Sequence, residues 1–332
     1  MYKYIPVTET VRINKEIPVM KLPFILYRCK PLMPQKIVKQ MKVVLTYLAL
    51  YMKKDYGEQH LPIKGDVALK VGDGHHKVID LSSNRIYTLF RERDKKLVLD
   101  QLGFENHSGM YEEIISINCS AHIIEAIFYN GHHPDLCDHS LKYLKKLNKM
   151  FLNLLLESEL TSIDEITYVR KLRKQCLELL MRNQNKMTSH QFRMIKEFVD
   201  DTYAQFMECA YDATIDLTLS HGDVKQENII EMKGEYKLID WEFCKYRNPY
   251  FDLLKFITRY PMFSPLMTQI HHEEAHNLNN TLTNRSRYCL LFYLEDIELR
   301  LTQSEHRAFA KDISKIIRFI KVMKEDRPFR DF

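Results

Sequence analysis

Three oxygen-bearing side chains stand at a fixed spacing between residues 220 and 252, and their types suit phosphoryl transfer. Asp223 closes a His-Gly-Asp triplet, Asn228 follows after four residues, and Asp240 comes twelve residues after Asn228. Phosphoryl transfer from ATP needs a carboxylate that accepts or orients a hydroxyl proton, and an amide oxygen and a second carboxylate that hold magnesium. Magnesium prefers oxygen ligands and keeps several waters, so two protein ligands suffice. The spacing therefore predicts Asp223 as the catalytic base and Asn228 and Asp240 as magnesium ligands.

The distance along the chain between Asn228 and Asp240 has a structural explanation. Residues 229–230 and 237–239 are apolar enough to form two short strands. Residues 233–235 between them are typical of a tight turn in which the central glycine takes a positive φ. Such a hairpin would bring Asn228 and Asp240 together. The alternative is a solvated hairpin that carries these polar residues by chance.

The triplet that ends in Asp223, the asparagine at 228 and the sequence Ile-Asp-Trp-Glu around Asp240 resemble the aminoglycoside phosphotransferase and choline kinase superfamily. This resemblance implies a protein-kinase-like, two-lobed α+β fold with a small antiparallel β-rich N-terminal lobe and a large helical C-terminal lobe. It also implies ATP and Mg²⁺ as cofactors. Asp252, in the sequence Asn-Pro-Tyr-Phe-Asp-Leu, would support the catalytic loop without touching substrate. Lys225 resembles the protein-kinase lysine that reaches the γ-phosphate, although a solvated loop lysine is the alternative.

Composition limits the choice of ligands. The chain has 332 residues, of which 45% are hydrophobic, which is enough for one large domain or two lobes with a sizeable core. The net charge of +5 suits ATP and other anionic ligands but does not indicate a nucleic-acid-binding protein. The same balance argues against a polycationic acceptor such as an aminoglycoside.

The cysteines favour a reducing compartment. Seven of them are scattered without a CxxC pair, at Cys29, Cys119, Cys137, Cys176, Cys209, Cys244 and Cys289. Their odd number and irregular spacing fit reduced thiols better than a disulfide scaffold or a zinc site. The first sixteen residues contain no apolar signal core. A cytoplasmic location is therefore expected.

Residues 1–34 are interrupted by prolines, and the segment from Gln35 to Asp55 has the pattern of a helix. Its apolar run, Val43 to Met52, is far shorter than the ~20 residues that span a membrane, so no integral membrane segment is expected. We expect this helix to pack in a core or an interface. The alternative is a basic helix that lies on a membrane surface.

A glycine pair marks the predicted nucleotide site. Residues 67–71, 77–81 and 85–90 are typical of strands, and Gly72 and Gly74 lie between the first two. Glycine lets the backbone approach phosphate oxygens and present N–H groups to them, so both residues are candidate nucleotide ligands. An ordinary hairpin turn is the alternative.

The lysine that kinases usually carry in the third strand is missing, because Thr88 stands there. A third glycine is missing as well, and its place is taken by Lys77. This arrangement resembles the with-no-lysine protein kinases, and it implies that Lys77 contacts the nucleotide phosphates. A solvent-facing lysine beside a degraded nucleotide site is the alternative. Arg91, just after the third strand, is a weaker substitute.

Two further strands are predicted at residues 113–117 and 122–128. The second leads into a glycine, and the resemblance implies that this passage is the hinge whose main chain binds adenine. Glu125, Ala126 and Ile127 are therefore candidate nucleotide contacts through their backbone groups.

We expect three parts along the chain. Residues 1–59 form an extension with one helix, residues 60–131 the nucleotide-binding lobe, and residues 132–332 the helical lobe. Apolar residues recur at three and four positions between 140 and 219, which predicts helices up to the catalytic loop, and the pattern resumes after Asp252.

These features predict transfer of the γ-phosphoryl group of ATP, with Mg²⁺, to a hydroxyl of a small molecule or glycan. Only eleven residues separate Asp240 from Asp252 and no Ala-Pro-Glu follows, which argues against a protein kinase. The acceptor and the oligomeric state stay open. The residues after the metal aspartate suit a quaternary ammonium, a sugar or simple packing: Trp241, Glu242, Tyr246 and Tyr250. The alternative is a pseudokinase that works by nucleotide binding or interaction.

Overall fold

The chain divides into a β-rich unit and a helical unit. A computed structural model describes residues 1–29, 37–52, 59–71, 75–90, 114–118, 120–129, 131, 133–134, 141–157, 160–209, 214–232, 234–241, 243–263, 285–306 and 309–325. The β-rich unit contains Met1–Pro134 and Ile230–Ile239, and the helical unit contains Asp135–Ile229 and Asp240–Phe332. The predicted α+β class, with a small β-rich part and a larger helical part, is confirmed.

An antiparallel sheet forms the β-rich unit. Its strands are β1 (Tyr2–Pro6), β2 (Val11–Asn14), β3 (Gln59–Leu61), β4 (Val67–Val71), β5 (His75–Asp80), β6 (Arg85–Leu89), β7 (Ile114–Asn118) and β8 (Ile123–Ile127). They lie in the order β3-β1-β2-β4-β5-β6-β8-β7. All seven neighbouring pairs are antiparallel. The predicted strands from residue 67 onward are present with shifts of one or two residues at their ends.

Residues 1–59 contribute more to this unit than the expected extension with one helix. They supply strands β1 and β2 and the first residue of β3. These strands form one continuous sheet with β4. These strands are short and adjoin prolines, so their alternation of apolar and polar residues is too brief to show in the sequence. The structure thus has no boundary at residue 59.

Two helices cover one face of the sheet, α1 (Leu22–Arg28) and α2 (Ile37–Met52). They share one buried cluster with the strands, which includes Ile5, Ile13, Val67 and Ile79 from the sheet, Leu22 and Ile25 from α1, and Val43 and Tyr47 from α2. The phenol of Tyr47 is fully buried and donates to the carbonyl of Ile17 at 3.0 Å. The first helices are therefore an integral part of the β-rich unit.

The predicted hairpin after Asn228 is confirmed. Strands β11 (Ile229–Met232) and β12 (Glu235–Leu238) form a two-stranded sheet. Gly234 in the turn has a φ of +85°, the left-handed conformation that glycine adopts without a steric cost. Asn228 directly precedes β11, and Asp240 follows two residues after β12.

The helical unit contains six long or medium helices among the described residues. They are α3 (Leu141–Glu157), α4 (Glu165–Arg182), α5 (Ser189–Cys209), α6 (Phe251–Arg259), α7 (Arg285–His306) and α8 (Phe309–Glu325). A small sheet of order β13-β10-β9 accompanies them, with β9 (Thr161–Asp164), β10 (Thr214–Ser220) and β13 (Lys245–Arg247).

The expectation that residues 140–219 are wholly helical is wrong in two places. Residues 161–164 and 214–220 are strands β9 and β10, so a strand rather than a helix leads into the loop that carries Asp223. The sequence Thr-Ile-Asp-Leu-Thr-Leu-Ser of β10 alternates with the period of two that is typical of a strand. This alternation is short, and the much longer helical pattern of α5 directly before it dominates the sequence signal.

The two faces of α2 provide a test of this packing. Tyr47→Ala removes a fully buried ring and should lower the free energy of unfolding by about 3–5 kcal/mol. Leu45→Ala on the same helix removes a side chain that is 63% exposed and should change it by less than about 0.5 kcal/mol. Denaturant unfolding of both variants would measure this. Equal effects would contradict the packing of α2 on the sheet.

Candidate active site

The loop that carries Asp223 follows β10 in the helical unit. Strand β10 pairs with β9 on one side and β13 on the other, which fixes its end at Ser220. The Ser220 hydroxyl donates to the carbonyl of Lys245 on β13 at 3.0 Å. Residues 221–225 then form the loop, and a single 3₁₀ turn from Gln226 to Asn228 leads into β11. The loop is thus held between two regular elements.

A carboxylate of α6 ties down the start of this loop. Asp252 accepts the backbone N–H of His221 at 2.6 Å and that of Gly222 at 2.9 Å, one with each oxygen. Asp252 is only 6% exposed, so both hydrogen bonds are shielded from water. Hydrogen bonds from N–H groups to an ionised carboxylate are among the stronger ones in proteins. The expected role of Asp252 as a support for the loop is confirmed.

The second loop position accepts only glycine. Gly222 has a φ of +85°, which L-residues with side chains rarely adopt. A Cβ at this position would lie 2.4 Å from the carbonyl oxygen of Phe243 and 3.0 Å from a nitrogen of Arg247. Arg247 itself is buried, donates to the carbonyl of Phe243 at 3.1 Å and lies over the Phe251 ring. The residues after Asp240 therefore pack tightly against the loop.

Two cations face the carboxylate of Asp223, which is 6% exposed. The ammonium of Lys225 lies 2.5 Å from one oxygen, and the guanidinium of Arg259 lies 3.2 Å from the other. Burial alone would raise the pKa of Asp223, but the charges of Lys225 and then Arg259 outweigh it and hold that pKa below its usual value. Asp223 is therefore an ionised carboxylate at neutral pH.

Arg259 was not singled out from the sequence. It ends α6, whose residues Asp252, Lys255 and Arg259 are spaced by three and four and so lie on one side of the helix. Arg259 also donates to the carbonyl of Val224 at 3.2 Å, which fixes it against the loop. The signal that could have revealed it is this stripe of charged residues on a short, otherwise apolar helix.

A buried ion cluster lies between α6 and α7. Lys255 pairs with Asp296 of α7, whose other oxygen accepts from Arg300 at 2.6 Å. Desolvation lowers the pKa of Lys255 to about 8, against the opposing effect of Asp296. Lys255 and Asp296 are both nearly inaccessible to solvent. The cluster joins α6, which holds the Asp223 loop, to the longest described helix of the unit.

A second buried carboxylate fixes the turn before α6. Glu295 accepts the Tyr168 hydroxyl at 2.6 Å, the backbone N–H of Asn248 at 2.9 Å and the side-chain amide of Asn248 at 2.5 Å. Burial raises the pKa of Glu295 from 4.5 to about 7, because its hydrogen bonds only partly offset the loss of water. The folded chain thus binds this proton more tightly than the unfolded chain, and this group lowers stability as pH rises from about 4.5 to 7.

The predicted metal ligands lie in the same unit as Asp223. The side-chain nitrogen of Asn228 donates to the backbone carbonyl of Asp223 at 2.9 Å, which turns the amide oxygen of Asn228 away from that carbonyl. Asp240 has a φ of +72°, a conformation that is costly for a residue other than glycine. Such strain is concentrated at functional sites. An amide oxygen and a carboxylate are also the donor types that Mg²⁺ prefers.

Two of the predicted nucleotide residues, Gly72 and Gly74, lie outside the described residues, as does Arg91. Lys77 lies in β5 and is the direct register partner of Leu69 and of Thr88. Direct partners in antiparallel strands point to the same face of the sheet. Lys77 is therefore the same-face neighbour of Thr88, the position where the usual lysine is missing.

The predicted hinge residues lie in β8 of the β-rich unit. Glu125 and Ala126 have register partners on both β6 and β7, so the ladders engage the backbone on both sides. Ile127 pairs with Arg85 on β6. The Glu125 side chain accepts from Ser116 at 2.9 Å and lies 3.4 Å from the Arg85 guanidinium. The backbone of Glu125 and Ala126 is thus paired on both sides within the sheet. The main chain after Ala126 is therefore more accessible to a ligand.

Comparison with known proteins agrees with this geometry. Residues 138–265 match the sequence profile of the ecdysteroid kinase-like family. An ethanolamine kinase of Plasmodium vivax aligns with a TM-score of 0.53 and 16% identity, over 94% of this chain and 95% of that one. The choline kinase LicA of Streptococcus pneumoniae aligns with a TM-score of 0.51 and 16% identity, over 74% of this chain and 89% of that one. The chain has the fold of the choline kinase and aminoglycoside phosphotransferase superfamily.

An aminoglycoside phosphotransferase has a similar fold. The ADP-bound aminoglycoside phosphotransferase APH(2'')-Ib aligns with a TM-score of 0.50 and 15% identity, over 77% of this chain and 93% of that one. No match was found among curated protein sequences. The fold implied by the motifs around Asp223 and Asp240 is confirmed.

The anchor of the loop can be tested by one isosteric change. Asp252→Asn should place an amide NH₂ opposite one of the two buried N–H groups and lower the free energy of unfolding by about 1–3 kcal/mol. The control is Glu197→Gln, which alters an exposed carboxylate of α5 and should leave stability nearly unchanged. Thermal unfolding would measure both. An Asp252→Asn variant as stable as the control would contradict the anchoring role.

Proposed function

We propose that the protein transfers the γ-phosphoryl group of ATP, with Mg²⁺, to a hydroxyl group of a small molecule or glycan. The observation that supports this most is the carboxylate of Asp223, which is buried, ionised and fixed by its loop. The fold of the kinase superfamily adds to it, because its members of known structure include kinases for choline and ethanolamine.

Asp223 would accept or orient the proton of the acceptor hydroxyl. Its lowered pKa makes it a weak base, so its main contribution is to align the hydroxyl and attract its proton while the bond to phosphorus forms. Catalysis of this kind depends mainly on positioning and on charge. The fixed loop geometry that Asp252 and Asn228 impose supplies the positioning.

Asn228 and Asp240 would hold Mg²⁺ through an amide oxygen and a carboxylate. The bound metal and ATP supply the transferable group and the charge that draws its oxygens into place. The orientation of the Asn228 amide by the Asp223 carbonyl fixes one ligand before any ion binds.

Lys225 and Arg259 would offset negative charge on the transferred group. Their side chains are 25% and 41% exposed, so each keeps part of its surface open beside the buried Asp223. Cations placed where charge develops stabilise a phosphoryl transition state. The same two cations favour a neutral or anionic acceptor over a polycation, because a like charge near Asp223 would be repelled.

The β-rich unit would bind the nucleotide. We propose that Gly72 and Gly74 approach the phosphates and that Lys77 replaces the lysine missing at Thr88. Of the candidate hinge residues Glu125, Ala126 and Ile127, the first two have sheet partners on both sides, so we propose that the main chain from Ile127 onward contacts adenine. The same-face register of Lys77 and Thr88 supports the replacement. A pseudokinase remains the rival, since Thr88 lacks a charge.

The proposed activity is tested by ADP release in a screen of hydroxyl compounds that includes sterols, sugars, choline and ethanolamine. Asp223→Asn should lower kcat by roughly 10²–10⁴, the usual contribution of a positioned proton acceptor. Glu197→Gln, an exposed change, should leave kcat unchanged. If Asp223→Asn turns over an acceptor as fast as the unaltered protein, Asp223 is not the catalytic base.

The nucleotide site is tested by thermal shift without an acceptor. Mg²⁺-ATP at 100 times its Kd should stabilise the protein by about 2.7 kcal/mol. Lys77→Ala should abolish the shift, whereas Lys70→Ala should not, because Lys70 pairs with His76 and points to the other sheet face. An equal loss in both variants would refute the specific role of Lys77. The absence of any shift in the unaltered protein would favour a pseudokinase that works by interaction.

A further inference from the structure

A long basic and apolar stretch lies near the N-terminus. Between Ile17 and Lys54 the sequence contains no aspartate or glutamate but eight basic residues, Lys21, Arg28, Lys30, Lys36, Lys39, Lys42, Lys53 and Lys54. The rest of the chain has 41 basic against 44 acidic residues. The positive charge of the protein is therefore concentrated in the segment that forms α1 and α2.

Helix α2 is apolar on both of its sides. Val43 and Tyr47 are buried against the sheet. Met41, Leu45 and Met52 lie on the opposite side, where their side chains are 59%, 63% and 79% exposed. A helix that is apolar all round normally has apolar surroundings on every side. One side of α2 packs on the sheet, whereas the apolar side chains of its other side are exposed in the described structure.

The segment around α1 repeats this arrangement. Leu22 and Ile25 are buried in the same cluster as α2, whereas Met20, Phe24 and Tyr27 are 93%, 57% and 74% exposed. Large apolar side chains grouped at a surface mark sites of interaction with proteins or membranes. In the described part of the chain, twelve large apolar side chains are exposed, and seven of them belong to α1, α2 and the short turn before α1.

We propose that this surface docks on an anionic lipid bilayer. The docking face is defined by Met20, Phe24, Tyr27, Met41, Leu45 and Met52. Exposed Lys21 and Lys42 lie beside these residues. Interfacial helices combine apolar side chains that enter the headgroup region with lysines that attract anionic lipids. Among the described helices, none is long and apolar enough to cross a membrane, so the contact would be peripheral.

A second copy of the chain is the less favourable occupant. Pairing two docking faces would bring two segments of eight basic residues together without an acidic residue in either segment. Like charges in contact repel each other, and a symmetric pair cannot escape this because both partners carry the same surface. A bilayer with negatively charged headgroups satisfies both the apolar and the electrostatic requirement.

The test is co-sedimentation of the full chain with vesicles of phosphatidylcholine alone or with added phosphatidylserine. The protein should bind the anionic vesicles roughly tenfold more strongly, and rising salt should weaken the binding. Leu45→Glu combined with Met52→Glu should abolish it. The matched control is Leu160→Glu combined with Met181→Glu, which alters two residues of similar exposure in the helical unit and should bind as the unaltered protein does.

The outcomes separate the alternatives. Equal binding to both kinds of vesicle, no binding to either, or equal loss in the two double variants would overturn the proposal. A dimer in light scattering that Leu45→Glu with Met52→Glu converts to a monomer, without vesicle binding, would show self-association instead. If that double variant does not fold, Lys21→Glu with Lys42→Glu replaces it. These exposed charge changes should reduce binding to anionic vesicles roughly tenfold or more, and unchanged binding would refute the role of charge.

Discussion

Lys225 and Arg259 keep the buried carboxylate of Asp223 ionised. Neighbouring elements of the helical unit hold these three charges in place. Lys225 comes from the loop itself, whereas Arg259 comes from the end of α6. The start of α6 anchors the same loop through Asp252. One short helix therefore fixes both the path of the loop and the charge beside its functional group. Removal of either cation would change the pKa of Asp223 as well as its position.

Buried charges between α6 and α7 explain how a helix as short as α6 is held in a fixed position. Buried ion pairs seldom add net stability, because the loss of water offsets their attraction. Lys255, Asp296 and Arg300 nevertheless join α6 to α7 at one register, and Glu295 fixes the turn before α6 through Asn248. We interpret this as positional specificity: a sliding of α6 would leave buried charges without partners. The depressed pKa of Lys255 reflects how little water reaches the cluster.

The sequence predicts the parts of this arrangement that depend on short-range order. The spacing of Asp223, Asn228 and Asp240 and the turn at Gly234 are local, and the hairpin is found as expected. Arg259 was missed because its contact with Asp223 spans 36 residues, and only a helical register reveals that both ends of α6 face the loop. The strands of residues 1–59 were missed because sheet pairing is a long-range property. Burial of charged residues cannot be read from residue types alone.

The central claim is that Asp223 is an ionised carboxylate because Lys225 and Arg259 face it, and carbon-detected NMR of aspartate-labelled protein tests it without a substrate. Asp223→Asn identifies the signal. We predict a pKa of Asp223 below its usual range, and a higher pKa in Arg259→Gln, because that variant loses one of the two opposing charges. Arg170→Gln, an exposed change in α4, should leave it unchanged. An ordinary or raised pKa of Asp223 in the unaltered protein, or the same pKa in Arg259→Gln, would contradict the account.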